Sequence, residues 1–221
     1  MFYIVSTPIG NLKDITIRAL EVLKEVDLIA AEDTRQTRKL TQHYGINTPL
    51  TSYFEHNKLK KGDFLLSLLK QGQKIALVSD AGTPGISDPG YHLINLAIQN
   101  NIPITAIPGP TALITALSLS GMPTHKFVFE GFLSPKQAAR RKRLQELSGE
   151  QRTIILYESP HRIKKCLQDI AEILNDPLVV CARELTKKFE ETRREKASLL
   201  LEHFNRNMPR GEFVLILNLC P

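Results

Sequence analysis

Short apolar runs alternate with helix-like segments through the first half of the chain. FYIVST, DLIAAED, KIALVSD and PITAIPG end at Gly, Pro, Asp or Thr, and such runs are typical of buried strands. Between them, DITIRALEVLKEV and YHLINLAIQNN place apolar residues at helical spacing, and TRQTRKLTQHYG ends on a glycine suited to a helix stop. This alternation predicts a mostly parallel sheet with helices on its faces.

The second half has a different pattern. KFVFEGF, RTIILYESP, PLVVCARELT and GEFVLILNLC are longer strand-like runs, and KKFEETRREKA is typical of an edge strand. Two helices are predicted among them, SPKQAARRKRLQEL and HRIKKCLQDIAEIL, the first with a capping box at Ser134 and Gln137 around Pro135. We therefore predict a two-domain α/β protein, with a mostly parallel sheet in residues 1–111 and a mixed-sheet α/β domain in residues 112–221.

Composition excludes several classes of protein. The chain has 221 residues, 42% hydrophobic and 24% charged, which is ordinary for a globular enzyme. No apolar run approaches the roughly 20 residues that span a membrane, and the N-terminus lacks the basic region of a signal peptide. Three cysteines without a C-x-x-C pair favour reduced, buried thiols over a disulfide scaffold or a zinc site. These features predict a cytoplasmic protein without a bound metal.

The net charge of +6 is unevenly placed, and its densest run is KQAARRKR. On the helix predicted from Pro135, Lys136, Arg140 and Arg143 are spaced to share a face, which Arg141 and Lys142 broaden. Five basic residues without an acid favour contact with RNA phosphates. A solvated helix face is the alternative at this stage.

The stretch SDAGTPGISDPG, Ser79 to Gly90, follows the apolar run KIALV. Its glycines permit positive φ and bare backbone, and its prolines reduce the entropy lost in fixing the loop. In open α/β sheets, ligands bind beyond the carboxyl ends of the strands. The phosphate-binding pattern G-x-x-x-x-G-K-[ST] is absent. Asp80 and Asp88 suit a ligand with an ammonium or sulfonium charge; the alternative is that they cap turns.

Seven motifs carry a family resemblance. In chain order they are TPIGNL, AEDTR, SDAGTPGISDPGYHL, IPGPTALITALSLSG, YESPHR, ARELTK and GEFVLI. Together they resemble the ribosomal RNA small-subunit methyltransferase I group of the tetrapyrrole-methylase superfamily, from Tyr3 to Leu217. The resemblance implies a homodimer that binds S-adenosylmethionine in a cleft between two α/β domains. It also implies 2′-O-methylation of a cytidine ribose in the decoding region of 16S rRNA, as free rRNA or in the small ribosomal subunit.

The resemblance also implies a set of cofactor contacts. The first helix turn after IPGP would receive the cofactor carboxylate on its free N–H groups. Ala182 has an alternative role as a core residue, and Gly211 as a turn glycine. The implied contacts are Pro8, Asp80, Gly82, Thr83, Pro84, Ile86, Thr111, Ala112, Tyr157, Ala182, Arg183, Gly211 and Glu212.

Methyl transfer to a ribose hydroxyl needs in-line positioning, and a nearby base or charge would help because the neutral hydroxyl is a poor nucleophile. Polar candidates at strand ends lie in AEDTR, YFEHN and YESPHR. Alternation sends Glu32 and Asp33 to opposite faces of the strand. We favour Asp33 and Arg35 near the ribose and its phosphate; a helix N-cap or a surface ion pair is the alternative for each.

Two other functions stay open. A methyltransferase of the same fold could act on a small tetrapyrrole-like acceptor, although AEDTR, YESPHR and the basic helix argue against it. A non-enzymatic RNA-binding assembly factor is the third possibility, and a calorimetric titration with S-adenosylmethionine separates it from the other two.

Overall fold

The computed structural model describes residues 1–220 and divides the chain into two compact units. The first unit is Met1–Thr111, and the second begins at Ala112. No helix among the described residues is long and apolar enough to cross a membrane.

The first unit contains one parallel sheet with the strand order β3-β2-β4-β1-β5. This confirms the predicted mostly parallel sheet. The strands are β1 (Phe2–Val5), β2 (Leu28–Ala31), β3 (Leu50–Ser52), β4 (Ile75–Val78) and β5 (Ile104–Ile107). The helices are α1 (Ile17–Glu25), α2 (Thr34–His43), α3 (Lys58–Lys70) and α4 (Tyr91–Gln99), with a 3₁₀ turn at Leu12–Asp14.

Two apolar clusters bury the two faces of this sheet. Ile29 and Val78 belong to the cluster that includes residues of α1 and α2. Ile75 and Leu77 point the other way and belong to the cluster with residues of α3 and α4. Because both faces are covered, the central strands are continuous apolar runs, which is why they were recognisable in the sequence.

The second unit contains a mixed sheet with the order β6-β7-β10-β8-β9. β6 and β7 are parallel, and the remaining pairs are antiparallel. This confirms the predicted mixed sheet, with β9 at its edge. The elements are α5 (Ala112–Ser120), β6 (Phe127–Phe132), α6 (Gln137–Leu147), β7 (Thr153–Glu158), α7 (Ile163–Ile173), β8 (Leu178–Arg183), β9 (Glu191–Lys196), α8 (Ala197–Arg206) and β10 (Phe213–Leu217).

Three local expectations for this unit were wrong. The α8 helix was not predicted, because it follows β9 directly without a turn residue. The capping box is absent, since α6 has Lys136 at its N-cap with no side-chain cap bond. The Ser134 hydroxyl instead accepts a 3.3 Å hydrogen bond from the Lys136 amide. Finally, all three cysteines are free, but Cys220 is exposed while Cys166 and Cys181 are buried.

Candidate active site

The carboxyl ends of the parallel strands in the first unit lie along one edge of the sheet. β2, β4, β1 and β5 are consecutive neighbours in that sheet. The segments that leave them are AEDTR, SDAGTPG, STPIG and PGPT. Sequence motifs spread over about a hundred residues are thereby brought side by side, as expected for a ligand site in an open α/β sheet.

The loop after β4 is tied to the end of β1. Thr7 and Gly82 exchange two backbone hydrogen bonds of 2.9 and 3.0 Å. The Thr7 hydroxyl donates to the Ser79 carbonyl at 3.1 Å, and the hydroxyls of Ser6 and Thr83 lie 2.9 Å apart. Ser6 and Thr7 were not among the predicted site residues. Their bonds hold Gly82 and Thr83 in place before any ligand arrives.

Glycine is required at several points of this edge. Gly82 and Gly85 have φ of +80° and +84°, the left-handed region that side chains disfavour. A Cβ on Gly90 would lie 2.9 Å from the Gly85 amide nitrogen, and a Cβ on Gly109 would lie 2.8 Å from the Ser6 Cβ. The glycines therefore allow the loops after β1, β4 and β5 to pack closely together.

Acidic residues from β2 and β4 meet at this edge. The Asp33 amide donates to the Asp80 carboxylate at 3.0 Å, and the Asp80 amide donates to the Glu32 carboxylate at 3.3 Å. Glu32 therefore contacts Asp80 through its side chain and Asp33 through its backbone amide, which is compatible with side chains on opposite faces of the strand. Desolvation raises the pKa of Asp80. Its side chain still reaches solvent, so the corner presents a carboxylate to a ligand.

Asp33 is the N-cap of α2. Its carboxylate accepts the Arg35 amide at 2.8 Å and the Arg35 guanidinium at 2.6 Å. The side-chain hydrogen bonds from Arg35 lower the pKa of Asp33 to about 2. A carboxylate with so low a pKa is a weak base near neutral pH. The geometry matches the alternative considered for Asp33, a helix cap in a surface ion pair, and the Arg35 side chain is 86% exposed.

The other predicted contacts of the first unit lie on the same loops. Pro8 and Thr111 are partly buried at the ends of β1 and β5, Pro84 is buried, and Ile86 exposes an apolar side chain. The Asp80 carboxylate and the exposed Ile86 side chain provide the charged and apolar contacts that a cationic, partly apolar cofactor needs, and Gly82 between them has no side chain to obstruct it. These residues fit S-adenosylmethionine.

In the second unit, Tyr157 holds the beginning of α5. Its hydroxyl accepts a 3.1 Å hydrogen bond from the Leu113 amide. Its ring makes edge contacts with Phe129 and Phe132, with ring centroids 4.9 and 5.7 Å away. Ala112, the first residue of α5, is partly buried. Tyr157 thus satisfies one of the free N–H groups at this helix terminus.

Arg183 and Gly211 lie together in the second unit. Arg183 donates to the Glu191 carboxylate at 2.6 Å and to the Arg210 carbonyl at 3.3 Å. Gly211 has a φ of +79°, and a Cβ there would collide with the Glu184 side chain. The positive φ agrees with the alternative of a turn glycine, and the Glu184 side chain lies in the space beside it.

Two further predicted positions differ in exposure. Glu212 is exposed. Ala182 is completely buried in β8, which pairs with β10 on one side and β9 on the other. The prediction of Ala182 as a cofactor contact is corrected: its side chain is part of the core, the alternative that the sequence had left open.

The basic helix needs a larger correction, beginning with Arg140. Its side chain is only 3% exposed and donates to the Asp169 carboxylate of α7 at 2.7 Å. It also donates to the carbonyls of Ser134 and Pro135 at 3.4 and 3.3 Å. Arg140 is therefore turned away from solvent and joins α6 to α7. It does not belong to an RNA-binding face.

The neighbouring arginines are also paired. Arg141 lies 2.8 Å from Asp169 and 2.5 Å from Glu172, and Arg143 lies 2.7 Å from Glu130 and 2.8 Å from Glu146. The predicted lysines, Lys136 and Lys142, are exposed. Within residues 1–220, neither lysine has an ion pair. Of the five predicted positions, Arg140 is therefore buried, Arg141 and Arg143 are partly exposed but paired with acids, and Lys136 and Lys142 are exposed without such a pair.

Comparison with known proteins agrees with this architecture. The family profile of the tetrapyrrole (corrin/porphyrin) methylases matches residues 1–200. Diphthine synthase has a similar structure, with a TM-score of 0.77 and 13% identity over 98% of this chain and 89% of the other. Uroporphyrin-III-C-methyltransferase from Thermus thermophilus has a TM-score of 0.69 and 17% identity, over 99% of this chain and 94% of the other. Identities this low show the fold alone. Methyltransferases of this family use S-adenosylmethionine as methyl donor.

Sequence relatives are much closer. A Thermotoga maritima protein is 50% identical over 215 residues, which is 97% of this chain and 96% of the relative. Proteins from Synechocystis and from Escherichia coli O157:H7 are each 52% identical, over 98% and 97% of this chain and 78% and 76% of their own lengths. All three are named ribosomal RNA small subunit methyltransferase I. With the motifs gathered at one sheet edge and the family profile over 200 residues, the chain belongs to the ribosomal RNA small subunit methyltransferase I family of the tetrapyrrole methylases.

Proposed function

We propose that this protein transfers the methyl group of S-adenosylmethionine to the 2′-hydroxyl of a cytidine ribose in the decoding region of 16S rRNA. The observation that carries the proposal is the identity of about 50% over nearly the whole chain to relatives named for methylation of small-subunit rRNA. The arrangement of the β4 loop supports it, because bare backbone and a carboxylate suit the donor. The nucleotide and the ribose position come from the family resemblance.

Residues of the first unit would hold the donor. Its sulfonium supplies an electrophilic methyl group when bound. The Asp80 carboxylate would face the positive charges of the donor, beside the Gly82–Thr83 segment that bonds to Thr7 and Ser6 hold in place. We retain Pro8, Pro84, Ile86 and Thr111 as proposed cofactor contacts. From the second unit we retain Ala112, Tyr157, Arg183, Gly211 and Glu212.

Asp33 and Arg35 would act as a pair on the acceptor. The Asp33 carboxylate fixes the Arg35 guanidinium through bonds to two of its nitrogens. A fixed and exposed guanidinium suits a phosphate next to the target ribose. We therefore propose that Asp33 is a positioning residue for Arg35, because its low pKa makes it a poor general base.

Lys136 and Lys142 are the proposed phosphate contacts of α6, because Arg140 is buried against Asp169 and the Arg141 and Arg143 side chains are paired with acids. The family resemblance also implies that the protein is a homodimer. Analytical sedimentation at micromolar protein concentration tests this. An rRNA substrate also agrees with action in the cytoplasm.

The experiment that tests the function uses labelled S-adenosylmethionine with purified protein and either free 16S rRNA or the small subunit. We expect one labelled cytidine whose neighbouring phosphodiester resists alkali, since a 2′-O-methyl group blocks the attacking hydroxyl. Label in a tetrapyrrole and not in rRNA would favour the small-acceptor alternative. The absence of any heat on titration with S-adenosylmethionine would favour a non-enzymatic assembly factor.

A further inference from the structure

The loop between β8 and β9, residues 184–190, exposes an aromatic ring that the core does not use. Phe189 is 68% exposed, and the Lys188 ammonium lies 5.6 Å from the centre of its ring. An exposed phenylalanine costs solvation free energy, since burying an apolar side chain is favourable. Exposure alone does not show a function, because Ile17, Tyr91 and Met208 are more exposed still; the setting of the Phe189 ring distinguishes it.

This loop is held in one conformation, although it projects from the edge of the sheet. Glu184 and Thr186 have positive φ values of +49° and +66°. The Glu190 carboxylate accepts the Thr186 amide at 2.6 Å, and the Glu184 carboxylate pairs with Lys187 at 2.9 Å. Leu185 is buried beneath the loop. Phe189 is therefore presented on a fixed support.

The base of the loop is built from proposed cofactor contacts. Arg183 bonds to the carbonyl of Arg210, and the Glu184 side chain fills the space beside Gly211. The loop thus rises directly from the part of the second unit that the family resemblance assigns to the cofactor. Because the family resemblance assigns the transferred methyl group to that cofactor, a base held at Phe189 would belong to the RNA strand that carries the target nucleotide.

The charges around the ring indicate what it binds. Both carboxylates within the loop are already bonded to loop groups, that of Glu184 to Lys187 and that of Glu190 to the Thr186 amide. Lys188, beside the ring, is exposed and forms no ion pair among residues 1–220. An aromatic ring next to a cation without an acidic partner is the combination that binds single-stranded nucleic acid, in which bases stack on rings and phosphates pair with cations.

We propose that Phe189 stacks on an unpaired base of the RNA substrate, next to the target nucleotide, while Lys188 contacts the backbone phosphate. The inference rests on the proposed function and extends it, because it assigns a surface for the strand that flanks the modified residue. It also requires that this part of the substrate is single-stranded, since a paired base has no free face for the ring.

The test uses the absence of tryptophan from the sequence. Phe189→Trp introduces a single indole whose fluorescence should be quenched by an unpaired oligoribonucleotide and much less by the same sequence in a duplex. Phe64→Trp is the matched control, because Phe64 also lies under a lysine, with the Lys61 ammonium 4.7 Å from its ring. We expect little quenching there. Equal quenching at both positions would overturn the inference.

Substitution provides the second measurement. Phe189→Ala should weaken RNA binding roughly 5- to 150-fold, the range of one base–aromatic stack, with unchanged S-adenosylmethionine affinity and melting temperature. Phe189→Tyr should restore RNA binding. Lys188→Gln should reduce the slope of log affinity against log salt by about one. The proposal is wrong if Phe189→Ala leaves RNA affinity intact while the parent protein methylates rRNA.

Failure of the two proposals can be distinguished. If the parent protein methylates no rRNA but the indole of the Phe189→Trp variant is still quenched by the single strand, the proposed reaction fails and the RNA-binding surface stands. If Phe189→Ala loses activity only at low protein concentration, together with self-association in sedimentation experiments, the ring is a contact between two copies of the chain, and the inference is overturned.

Discussion

The loop after β4 and the α6 helix both stand out as candidate binding segments in the sequence, but their side chains have different partners in the structure. The loop uses backbone groups, glycines and short side chains, and its partners are the neighbouring strand ends. The helix carries long charged side chains, and three of its arginines are bonded to acids from β6, α6 and α7. The conformation of a glycine-rich loop can be predicted from its own residues. The exposure of a run of charged residues cannot, because it depends on which segments pack against them.

The largest effect is expected at the buried pair of Arg140 and Asp169. Asp169→Ala would leave a buried guanidinium without its counter-charge and should lower the free energy of unfolding by about 3–5 kcal/mol. Urea denaturation measures this loss. Arg143→Ala, at an exposed pair, is the control and should cost about 1 kcal/mol or less. A stable Asp169→Ala protein would return Arg140 to the candidates for RNA binding.

The next effect concerns the acidic corner. Asp80→Asn keeps the side-chain volume but removes the charge, and should weaken S-adenosylmethionine binding about tenfold. Because desolvation raises the pKa of Asp80, wild-type affinity should fall as the pH is lowered toward acid and Asp80 gains a proton. Affinity of the variant should vary less with pH. Calorimetric titration checks both statements, with Asp63→Asn on the exposed surface of α3 as control. An unchanged affinity would remove Asp80 from the cofactor site.

A moderate effect is expected from the two free lysines of α6. Lys136→Gln with Lys142→Gln should reduce the salt slope of RNA binding by up to about two, since each phosphate contact contributes nearly one. Arg141→Gln with Arg143→Gln, on the same helix, should leave the slope nearly unchanged. Filter-binding assays between low and physiological salt concentration measure this slope. A larger loss of slope in the arginine variant than in the lysine variant would show that the arginine pairs open to bind RNA.

The smallest effect is expected at Asp33. Asp33→Asn should keep the single-turnover methylation rate within about threefold, because loss of a general base costs about 10²–10⁴-fold. Asparagine is also a good N-cap. The folded-state pKa of Asp33 is about 2, below its ordinary value of 3.8, so its stabilising contribution is present above about pH 4 and lost as the pH falls through 2.

Acid denaturation should therefore show a difference between the wild type and Asp33→Asn that shrinks over this pH range. A hundredfold loss of rate that persists at saturating RNA would instead make Asp33 a catalytic base.

Much of the fold could be predicted because the central strands β1, β2 and β4 are largely buried on both faces. The missed elements lack such a signal. β3 has three half-buried residues, and α3 contains Gly62, which sequence rules disfavour inside a helix. There, a Cβ would lie 3.2 Å from side chains of His92 and Leu96. Glycine therefore allows α3 and α4 to pack closely, a reason that is visible only in three dimensions.

The same distinction between local and long-range signals applies to the candidate site. The tight loop at Asp80 and Gly82 could be predicted because its glycines and prolines lie next to one another in the sequence, and the positive φ of Gly82 agrees with it. Arg140 could not be interpreted, because Asp169 lies 29 residues away. The ring of Phe189 was overlooked because a single aromatic residue beside lysines is unremarkable until its exposure is known.

The strand order of the first unit has a consequence for how the protein is made. β1 pairs with β4 and β5, so that Phe2 lies opposite Ile75 and Ile104. β1 therefore leaves the ribosome before both partners, and about a hundred further residues, roughly 5 to 20 s at ordinary rates of synthesis, must follow before β5 is made. The loop after β4 can bond to Thr7 only after β1 has paired with β4. S-adenosylmethionine cannot help the early chain to fold, and its binding reports that the first unit has been completed.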